Sequence, residues 1–190
     1  GSDTDSRTVT ISVDAVNDAP SYVGVSSFGP NENTTAVTTV EATDADGDAI
    51  TYSITGGLDK DLFTINSTTG ELTFINAPDF ENPGDTNQDN IYQVEVSATD
   101  PQGAATAVGY VITVNNVNES PTGITLSESS FNENSAGATI GTLSTNDPDT
   151  NETTSYTISG TDKESFEISG TTLKLKDSVT ADYEADTSYS

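Results

Sequence analysis

The chain repeats itself at an interval of about 100 residues. Residues 8–20, TVTISVDAVNDAP, return as GYVITVNNVNESP at residues 109–121. Further matching motifs follow in the same order at steps of 101 to 103 residues: Asn31-Glu32-Asn33 with Asn132-Glu133-Asn134, Asp44-Ala45-Asp46 with Asp147-Pro148-Asp149, Phe63-Thr64-Ile65 with Phe166-Glu167-Ile168, and Asp79-Phe80-Glu81 with Asp182-Tyr183-Glu184. Ordered self-similarity at a fixed period indicates an array of similar structural units.

The length and composition of each unit favour a β-sandwich. The period is close to the size of an immunoglobulin-type sandwich, roughly 100 residues. Thr, Ser, Val and Ile are plentiful, and long apolar stripes at helical spacing are absent. Alternating runs between turn signals predict strands at these places: Val37 to Ala42, Ile50 to Ile54, Leu62 to Ile65, Leu72 to Ile75, Ile91 to Ala98 and Ala105 to Val114. We therefore predict an all-β fold of tandem immunoglobulin-like Greek-key β-sandwiches arranged end to end.

The repeat divides the chain into three predicted segments. Residues 1–20 would be the final strand and linker of a preceding unit, residues 21–121 a complete unit, and residues 122–190 a C-terminally truncated unit without its last two strands. Thr8 to Val13 is then an orphan strand. We expect this strand to be disordered, or the given sequence to omit residues that pair with it. We do not expect the strand to be donated to another chain. One donated strand would still leave the sixth strand of the last unit absent.

The charge of the chain restricts its partners. It has 31 acidic and five basic residues, which gives a formal net charge of −26 at pH 7. Such a surface repels nucleic acid, and no apolar stretch approaches the length that would insert into a membrane. The chain has no His and no Cys, which excludes the usual zinc and copper ligands. The acids either form a solvated surface or hold cations, and their positions decide between the two.

The acids of the complete unit cluster at the ends of the predicted strands. On strands that run alternately up and down, one set falls at the pole beside the joint at residues 115–121: Glu32, Asp79 and Glu81. The other set falls at the pole beside the joint at residues 14–20: Asp44, Asp46 and Asp100. Calcium binds six to eight oxygens from carboxylates, amides and carbonyls, and crowded carboxylates repel one another unless a proton or cation neutralises them. The pattern predicts calcium at both poles.

The order of the motifs N-E-N, D-A-D-G, D-F-E, A-T-D and N-x-N-E-S-P resembles the cadherin repeat over nearly the whole chain. The resemblance implies several Ca2+ ions at the joints between repeats. At the joint between the two larger units it implies these ligands: Glu32, Asp79, Glu81, Asn118, Glu119, Asp147 and Asp149. At the first joint it implies these: Asn17, Asp18, Asp44, Asp46 and Asp100. Three further acids would face a third joint: Glu133, Asp182 and Glu184.

The joints depart from the family pattern. The family usually opens its linker with Asp, where this chain has Ala15 in the first joint and Asn116 in the second. Asn116 is kept among the candidate ligands. Glu119 and Ser120 replace the usual Asp and Asn, so fewer ions or weaker binding is expected, although carbonyl ligands would survive. The sequence looks closest to the cadherin-like repeats of large bacterial surface adhesins and biofilm proteins.

Three acidic segments have other interpretations. Residues 44–48 resemble the start of an EF-hand loop, but Ala49 and Thr55 stand where that loop has Gly and Glu. Residues 85–90 could be a cation loop, although we expect a solvated loop tip from their Asp and Asn content. Asp79-Phe80-Glu81 could be an acid/base carboxylate pair. No His, Cys or Trp supports catalysis, and we predict that the chain is not an enzyme.

The sequence leaves three functions open. The predicted one is an extracellular extender in a bacterial cell-surface adhesin, with calcium-stiffened joints and neighbouring repeats of the same protein as partners, for cell adhesion or biofilm formation. The second is a module that itself binds a carbohydrate or a cell-surface protein, which an exposed aromatic cluster would favour. The third is a non-catalytic spacer of a secreted polysaccharide-degrading enzyme, which only neighbouring sequence could separate from an adhesin.

Overall fold

The computed structural model describes residue 1 and residues 7–149, 153–185 and 187–190. These residues form thirteen β-strands and two one-turn 3-10 helices, Lys60–Leu62 and Lys163–Ser165. The prediction of an all-β fold is therefore confirmed. The chain divides into two compact units, Gly1–Val117 (unit 1) and Asn118–Ser190 (unit 2).

Unit 1 is built from two main sheets. Its strands are β1 (Ser21–Val23), β2 (Ser27–Phe28), β3 (Ala36–Thr39), β4 (Glu41–Thr43), β5 (Thr51–Gly56), β6 (Phe63–Ile65), β7 (Glu71–Phe74), β8 (Ile91–Thr99) and β9 (Ala105–Thr113). One sheet has the order β2-β9-β8-β5, the other has the order β3-β7-β6, and β1 pairs with β4. The pairings are antiparallel except for β2 with β9, which is parallel.

The alternation of apolar residues places the core of unit 1 between these sheets. On β8 and β9 the buried apolar residues are every second one, beginning with Tyr92 and Tyr110, and Ser97 of β8 is buried as well. Tyr92 packs edge-on against Phe63 and Phe74, with ring centroids 6.2 and 5.1 Å apart. Leu72 of β7 is fully buried in the same cluster. The core thus joins the two sheets through large side chains of both.

The predicted strand from Val37 to Ala42 is interrupted at Val40. The residues before Val40 form β3, which pairs with β7, and those after it form β4, which pairs with β1. Val40 is buried, and its N–H donates to the carbonyl of Gly70 at 2.8 Å. One continuous stretch of sequence therefore contributes strands to two different sheets.

Residues 7–20 contain no strand in the structure. The predicted orphan strand, Thr8 to Val13, is exposed along its whole length. Within unit 1 the position of a last strand is filled by β9, so the segment finds no equivalent place there.

The prediction of a solvated loop at residues 85–90 is wrong at both ends of the loop. Asp85 is only 3% exposed, and its carboxylate accepts hydrogen bonds from the N–H groups of Asp89 at 3.0 Å and Asn90 at 3.1 Å. Asn90 is also buried, while Asp89 is exposed. The loop folds around its own carboxylate because buried backbone donors need acceptors.

A second buried carboxylate, Asp59, fastens this loop to the start of β8. Its Oδ1 accepts from the N–H and the hydroxyl of Thr86, both at 2.8 Å, and its Oδ2 accepts from the N–H of Gln93 at 2.9 Å. The N–H of Asp59 donates to the carbonyl of Gln93 at 3.0 Å. Gly57 packs directly against this strand, where an added Cβ would lie 2.4 Å from the Gln93 carbonyl oxygen. The group Gly57, Asp59 and Gln93 is called the strand clamp below.

Unit 2 contains one sheet in the part of the chain that the structure describes. Its strands are β10 (Gly123–Leu126), β11 (Thr139–Asn146), β12 (Phe166–Ser169) and β13 (Thr172–Leu175), in the order β10-β11-β13-β12. Residues 154–159, which match β5, are not in a strand. In unit 1 the matching strand β5 is paired antiparallel with β8.

The last residues of the chain repeat the strand clamp. The N–H of Asp162 donates to the carbonyl of Ser190 at 3.0 Å, and the N–H of Ser190 donates to Asp162 Oδ2 at 2.8 Å. Tyr189 packs edge-on against Phe166, with centroids 5.5 Å apart. Tyr189 and Ser190 therefore occupy the places that Tyr92 and Gln93 hold in unit 1.

Candidate metal centres

At the first predicted pole, a tight turn after β4 gathers three carboxylates. Asp44, Asp46 and Asp48 each offer an oxygen within 4.8 Å of the others. Asp44 Oδ1 accepts from the N–H of Asp46 at 2.9 Å and of Asp48 at 3.4 Å. Gly47 has a φ of 79°, which glycine adopts without steric cost and which lets the chain reverse here.

The linker residues of the first joint are hydrogen-bonded to the same end of unit 1. Asn17 donates its side-chain amide to Asp100 Oδ2 at 2.7 Å, and the N–H of Asp18 donates to Asp46 Oδ2 at 2.7 Å. The structure therefore brings all five residues predicted for this joint to one surface of unit 1. This surface, which comprises Asn17, Asp18, Asp44, Asp46 and Asp100, is called the first-joint cluster.

Two features of the first-joint cluster fit a calcium ion. Asp44 Oδ2 is buried and accepts no hydrogen bond from any residue that the structure describes. A buried, unpaired carboxylate oxygen is costly unless a cation or donor reaches it. The available donor atoms are carboxylate, amide and carbonyl oxygens, which are the atoms that calcium prefers.

Asp100 is held in its charged form at this surface. The hydrogen bond from Asn17, supported by backbone N–H groups such as that of Ala104 at 2.8 Å, lowers the pKa of the Asp100 carboxyl below its usual value. Partial desolvation opposes this shift. The carboxylate is therefore available as an anionic ligand near neutral pH.

Sequence reasoning left Asp48 out of the predicted ligands. Its Oδ2 accepts a hydrogen bond from the side-chain amide of Gln102 at 2.9 Å, and its carboxylate belongs to the group of Asp44 and Asp46. The alternation of three acids at residues 44–48 is the sequence pattern that could have identified Asp48 as a candidate ligand. The structure shows that the turn points the third acid toward the same place as the first two.

The opposite pole of unit 1 is organised by the buried side chain of Glu32. Its Oε2 accepts from the N–H of Phe80 at 2.7 Å, and its Oε1 accepts from the N–H of Val117 at 2.8 Å. Glu32 and Glu81 offer oxygens within 4.8 Å of each other, and the amide of Asn116 donates to Glu81. Three of the predicted residues, Glu32, Glu81 and Asn116, are thus brought together.

Asp79 is not a member of this group of carboxylates. Its Oδ1 accepts from the N–H of Asn82 at 2.9 Å, and the side chain is exposed. Asp79 and Glu81 lie on either side of Phe80, so their side chains serve different partners. Their geometry in unit 1 gives no support to the alternative of an acid/base pair.

The predicted residues of unit 2 form two sets. Glu133, Asp182 and Glu184 offer oxygens within 4.8 Å of one another, and all three are exposed. In the other set, Asp149 Oδ2 accepts from the N–H of Glu119 at 2.5 Å, and Asp147 Oδ1 accepts from the N–H of Asp149 at 3.2 Å. The amide of Asn118 donates to the carbonyl of Glu119 at 3.2 Å. A backbone N–H from a distant segment joins each set: that of Glu119 reaches Asp149, and that of Tyr183 donates to Glu133 Oε2 at 3.0 Å.

No helix of the described residues has the length and apolar character that a membrane crossing would require.

Comparison with known proteins relates this arrangement to one family. The family model for the cadherin domain matches residues 27–115. Cadherin-related family member 1 of Xenopus laevis is 35% identical over 133 residues, which cover 63% of this chain and 14% of that protein. The chain thus spans only 14% of the length of this curated relative.

Solved structures show the same fold. Human protocadherin-24 EC1-2 has a TM-score of 0.62 at 19% identity and covers 90% of this chain and 82% of its own. The extracellular domain of protocadherin GammaB4 has a TM-score of 0.58 at 25% identity and covers 92% of this chain and 29% of its own. The domains of the cadherin family are extracellular, non-enzymatic adhesion modules, and they bind calcium. Residues 27–115 are thus similar in sequence to the cadherin domain family.

Proposed function

We propose that this chain is a calcium-stiffened extender segment of a cell-surface adhesin. The observation that carries the proposal is the first-joint cluster, in which linker and loop residues meet around the buried, unpaired Asp44 Oδ2. Calcium bound there would neutralise the carboxylates and tie the linker to unit 1. An array whose linkers are fixed in this way holds a distal binding domain away from the cell.

The proposal extends to the other joints on the same chemistry. Residues 21–121 would be one complete repeat and residues 122–190 part of the next, with residues 1–20 contributing the strand end and linker of a preceding one. The joint between the two repeats would use Glu32, Asp79, Glu81, Asn116, Asn118, Glu119, Asp147 and Asp149. A third joint would use Glu133, Asp182 and Glu184. The grouping of Glu32 with Glu81, and of Glu133 with Asp182 and Glu184, supports these assignments.

For the parent protein we propose a bacterial surface adhesin that acts in cell adhesion or biofilm formation. The support is the strongly acidic composition without Cys and the altered linker positions Ala15 and Asn116. The relatives found are animal cadherins and protocadherins, so the bacterial host depends on these sequence features alone. Determining the sequence on both sides of this segment in its parent gene tests it directly, and an animal parent would contradict it.

We expect calcium to raise the melting temperature of the chain and magnesium to raise it little. The acids are crowded oxygen ligands on flexible turns, which suit calcium, whereas magnesium requires near-ideal octahedral geometry and releases its waters reluctantly. A ligand that binds only the folded state stabilises by about 2.7 kcal/mol at a hundred times its dissociation constant. Melting curves followed by circular dichroism in calcium, magnesium and chelator measure this, and three superimposable curves would contradict the proposal.

We expect Glu81→Gln to make the chain less extended in calcium and Glu71→Gln to leave it unchanged. Glu81 lies within reach of Glu32 at the pole beside the second linker, whereas Glu71 is exposed on β7. The two substitutions remove the same charge, so Glu71→Gln controls for net charge. Small-angle scattering in calcium measures the maximum dimension. If wild type and Glu81→Gln have the same maximum dimension in calcium, Glu81 does not contribute to holding the chain extended.

A further inference from the structure

Unit 1 has a cavity between the 3-10 helix Lys60–Leu62 and the loop that follows β7. Its volume is about 310 Å³, and the residues that line it all fall within residues 61–92. Its apolar lining includes Leu62, Phe74, Ile75, Pro78 and Tyr92. Pockets that hold small ligands or single side chains begin at a volume of roughly 300 Å³. This cavity, which we call the β7 pocket, is therefore large enough for one extended side chain.

The walls of the β7 pocket are fixed by the fold of unit 1. The N–H of Ile75 donates to the carbonyl of Leu62 at 2.9 Å, which joins the loop to the end of the 3-10 helix. The N–H of Gly84 donates to the hydroxyl oxygen of Tyr92 at 3.2 Å, which holds the far end of the loop against the core. Phe74 and Tyr92 are themselves core residues. A guest would thus enter a preformed pocket and would not have to order it first.

The rim of the β7 pocket is anionic. The exposed residues Asp61 and Asp79 both line it, and Asp79 Oδ1 accepts from the N–H of Asn82 at 2.9 Å, which fixes that carboxylate in place. The side chains of Asn76 and Asn82 offer further acceptor oxygens. Among the described residues that line the pocket, none is basic. An apolar interior with an anionic rim is complementary to a side chain that has an aliphatic stem and a cationic head.

We propose that the β7 pocket binds an arginine side chain of a partner protein. The stem of the arginine lies against Leu62 and Ile75, and its guanidinium group contacts the carboxylates of Asp61 and Asp79. Arginine suits this rim better than lysine because its planar head carries five donors in a fixed arrangement. The formal net charge of −26 makes two copies of this chain repel each other, so the partner is a different, basic protein. This role is additional to that of an extender and does not depend on it.

An NMR titration with the tripeptide acetyl-Gly-Arg-Gly-amide tests this proposal. Excess calcium keeps the peptide out of the metal centres, and salt at about 0.15 M screens non-specific attraction. We expect saturable shifts of the amides around the pocket, such as those of Leu62, Ile75 and Gly84. The same peptide with citrulline, which has the shape of arginine without its charge, should bind about fivefold more weakly. Saturable shifts only elsewhere, no saturable shifts, or equal binding of the citrulline peptide or a leucine peptide would overturn the proposal.

Two pairs of variants assign the binding to this pocket. Asp61→Asn should weaken binding of the arginine peptide by about fivefold, whereas Asp89→Asn removes the same charge from an exposed residue outside the pocket and should leave binding unchanged. Asp61 also lies outside the proposed metal centres, so this pair separates arginine binding from calcium binding.

The second pair concerns the stem of the arginine. Ile75 and Leu58 are both 54% exposed, but only Ile75 lines the pocket. Ile75→Ser should weaken binding by about fivefold through the loss of apolar contact, and Leu58→Ser should not change it. The amide spectrum of each variant without peptide establishes that the fold is retained. Equal effects within either pair of variants would overturn the assignment of arginine to the β7 pocket.

Discussion

Replacing Gly57 by Ala is expected to destabilise unit 1 by roughly 3 kcal/mol or more. Gly57 has a φ of 102°, and an added Cβ would lie 2.4 Å from both the Gln93 carbonyl oxygen and the Cα of Val94. These atoms belong to the backbone of β8, which is paired on both sides and cannot move aside without loss of its ladders. Urea unfolding in excess calcium, followed by circular dichroism, measures the change in the free energy of unfolding.

Gly103→Ala is the matched control. Gly103 also has a positive φ, of 91°, but its added Cβ would meet no atom within 4 Å. Only the backbone strain remains, at about 1–2 kcal/mol. Gly160→Ala should cost more than Gly103→Ala, because its added Cβ would lie 2.7 Å from the carbonyl oxygen of Ser190. If Gly57→Ala and Gly103→Ala cost the same, the close approach of Gly57 to β8 contributes nothing to stability.

The strands that alternate strictly could be predicted from the sequence. β8 buries Tyr92, Val94 and Val96 in turn, and the predicted strand ends within one residue of the observed end. β1 and β2 were missed because they are only three and two residues long and are separated by Gly24. Strands this short carry too few alternating positions to be recognised.

Burial of the acids could not be predicted from local sequence. Asp59 and Asp85 stand in segments rich in Asp, Asn and Gly, which indicate exposed turns. Both are 3% exposed because backbone N–H groups surround them, and the N–H of Gln93, one donor to Asp59, is 34 residues away. The repeated Gly-x-Asp-Lys at residues 57–60 and 160–163 was visible in the sequence, but its contact with β8 was not.

The sequence placed some candidate ligands correctly and others not, because the direction of a side chain depends on contacts that the sequence does not show. Within the first-joint cluster, Asp44 and Asp46 follow β4 and Asp100 follows β8, and strand direction places these three acids at one end of unit 1. Asp79 and Glu81 were assigned to one pole from strand direction, and the resemblance to the cadherin repeat implied both as ligands. In the structure they have different partners: Asp79 accepts from the N–H of Asn82, and Glu81 accepts from the side-chain amide of Asn116. Side-chain direction within a loop is set by such local bonds.

Replacing Leu72 by Ala is expected to cost about 3 kcal/mol, within the range of about 2–5 kcal/mol for core Leu→Ala substitutions. Leu72 is fully buried between the sheets of unit 1, so its loss leaves a cavity as well as removing buried apolar area. Leu173→Ala at the matching position of unit 2 should cost about 1 kcal/mol, since a half-buried side chain loses less contact. Native-state hydrogen exchange measures both effects as changes in the free energy of opening: at the amides of β7 for Leu72→Ala and at the amides of β13 for Leu173→Ala.

The difference between these two substitutions depends on how the face of unit 2 is covered. In a dilute monomer Leu173 borders an open cavity, and a cost equal to that of Leu72 would mean that this face is already closed. Leu72 is covered by β8 and β9 of its own unit, so its cost should be the larger of the two.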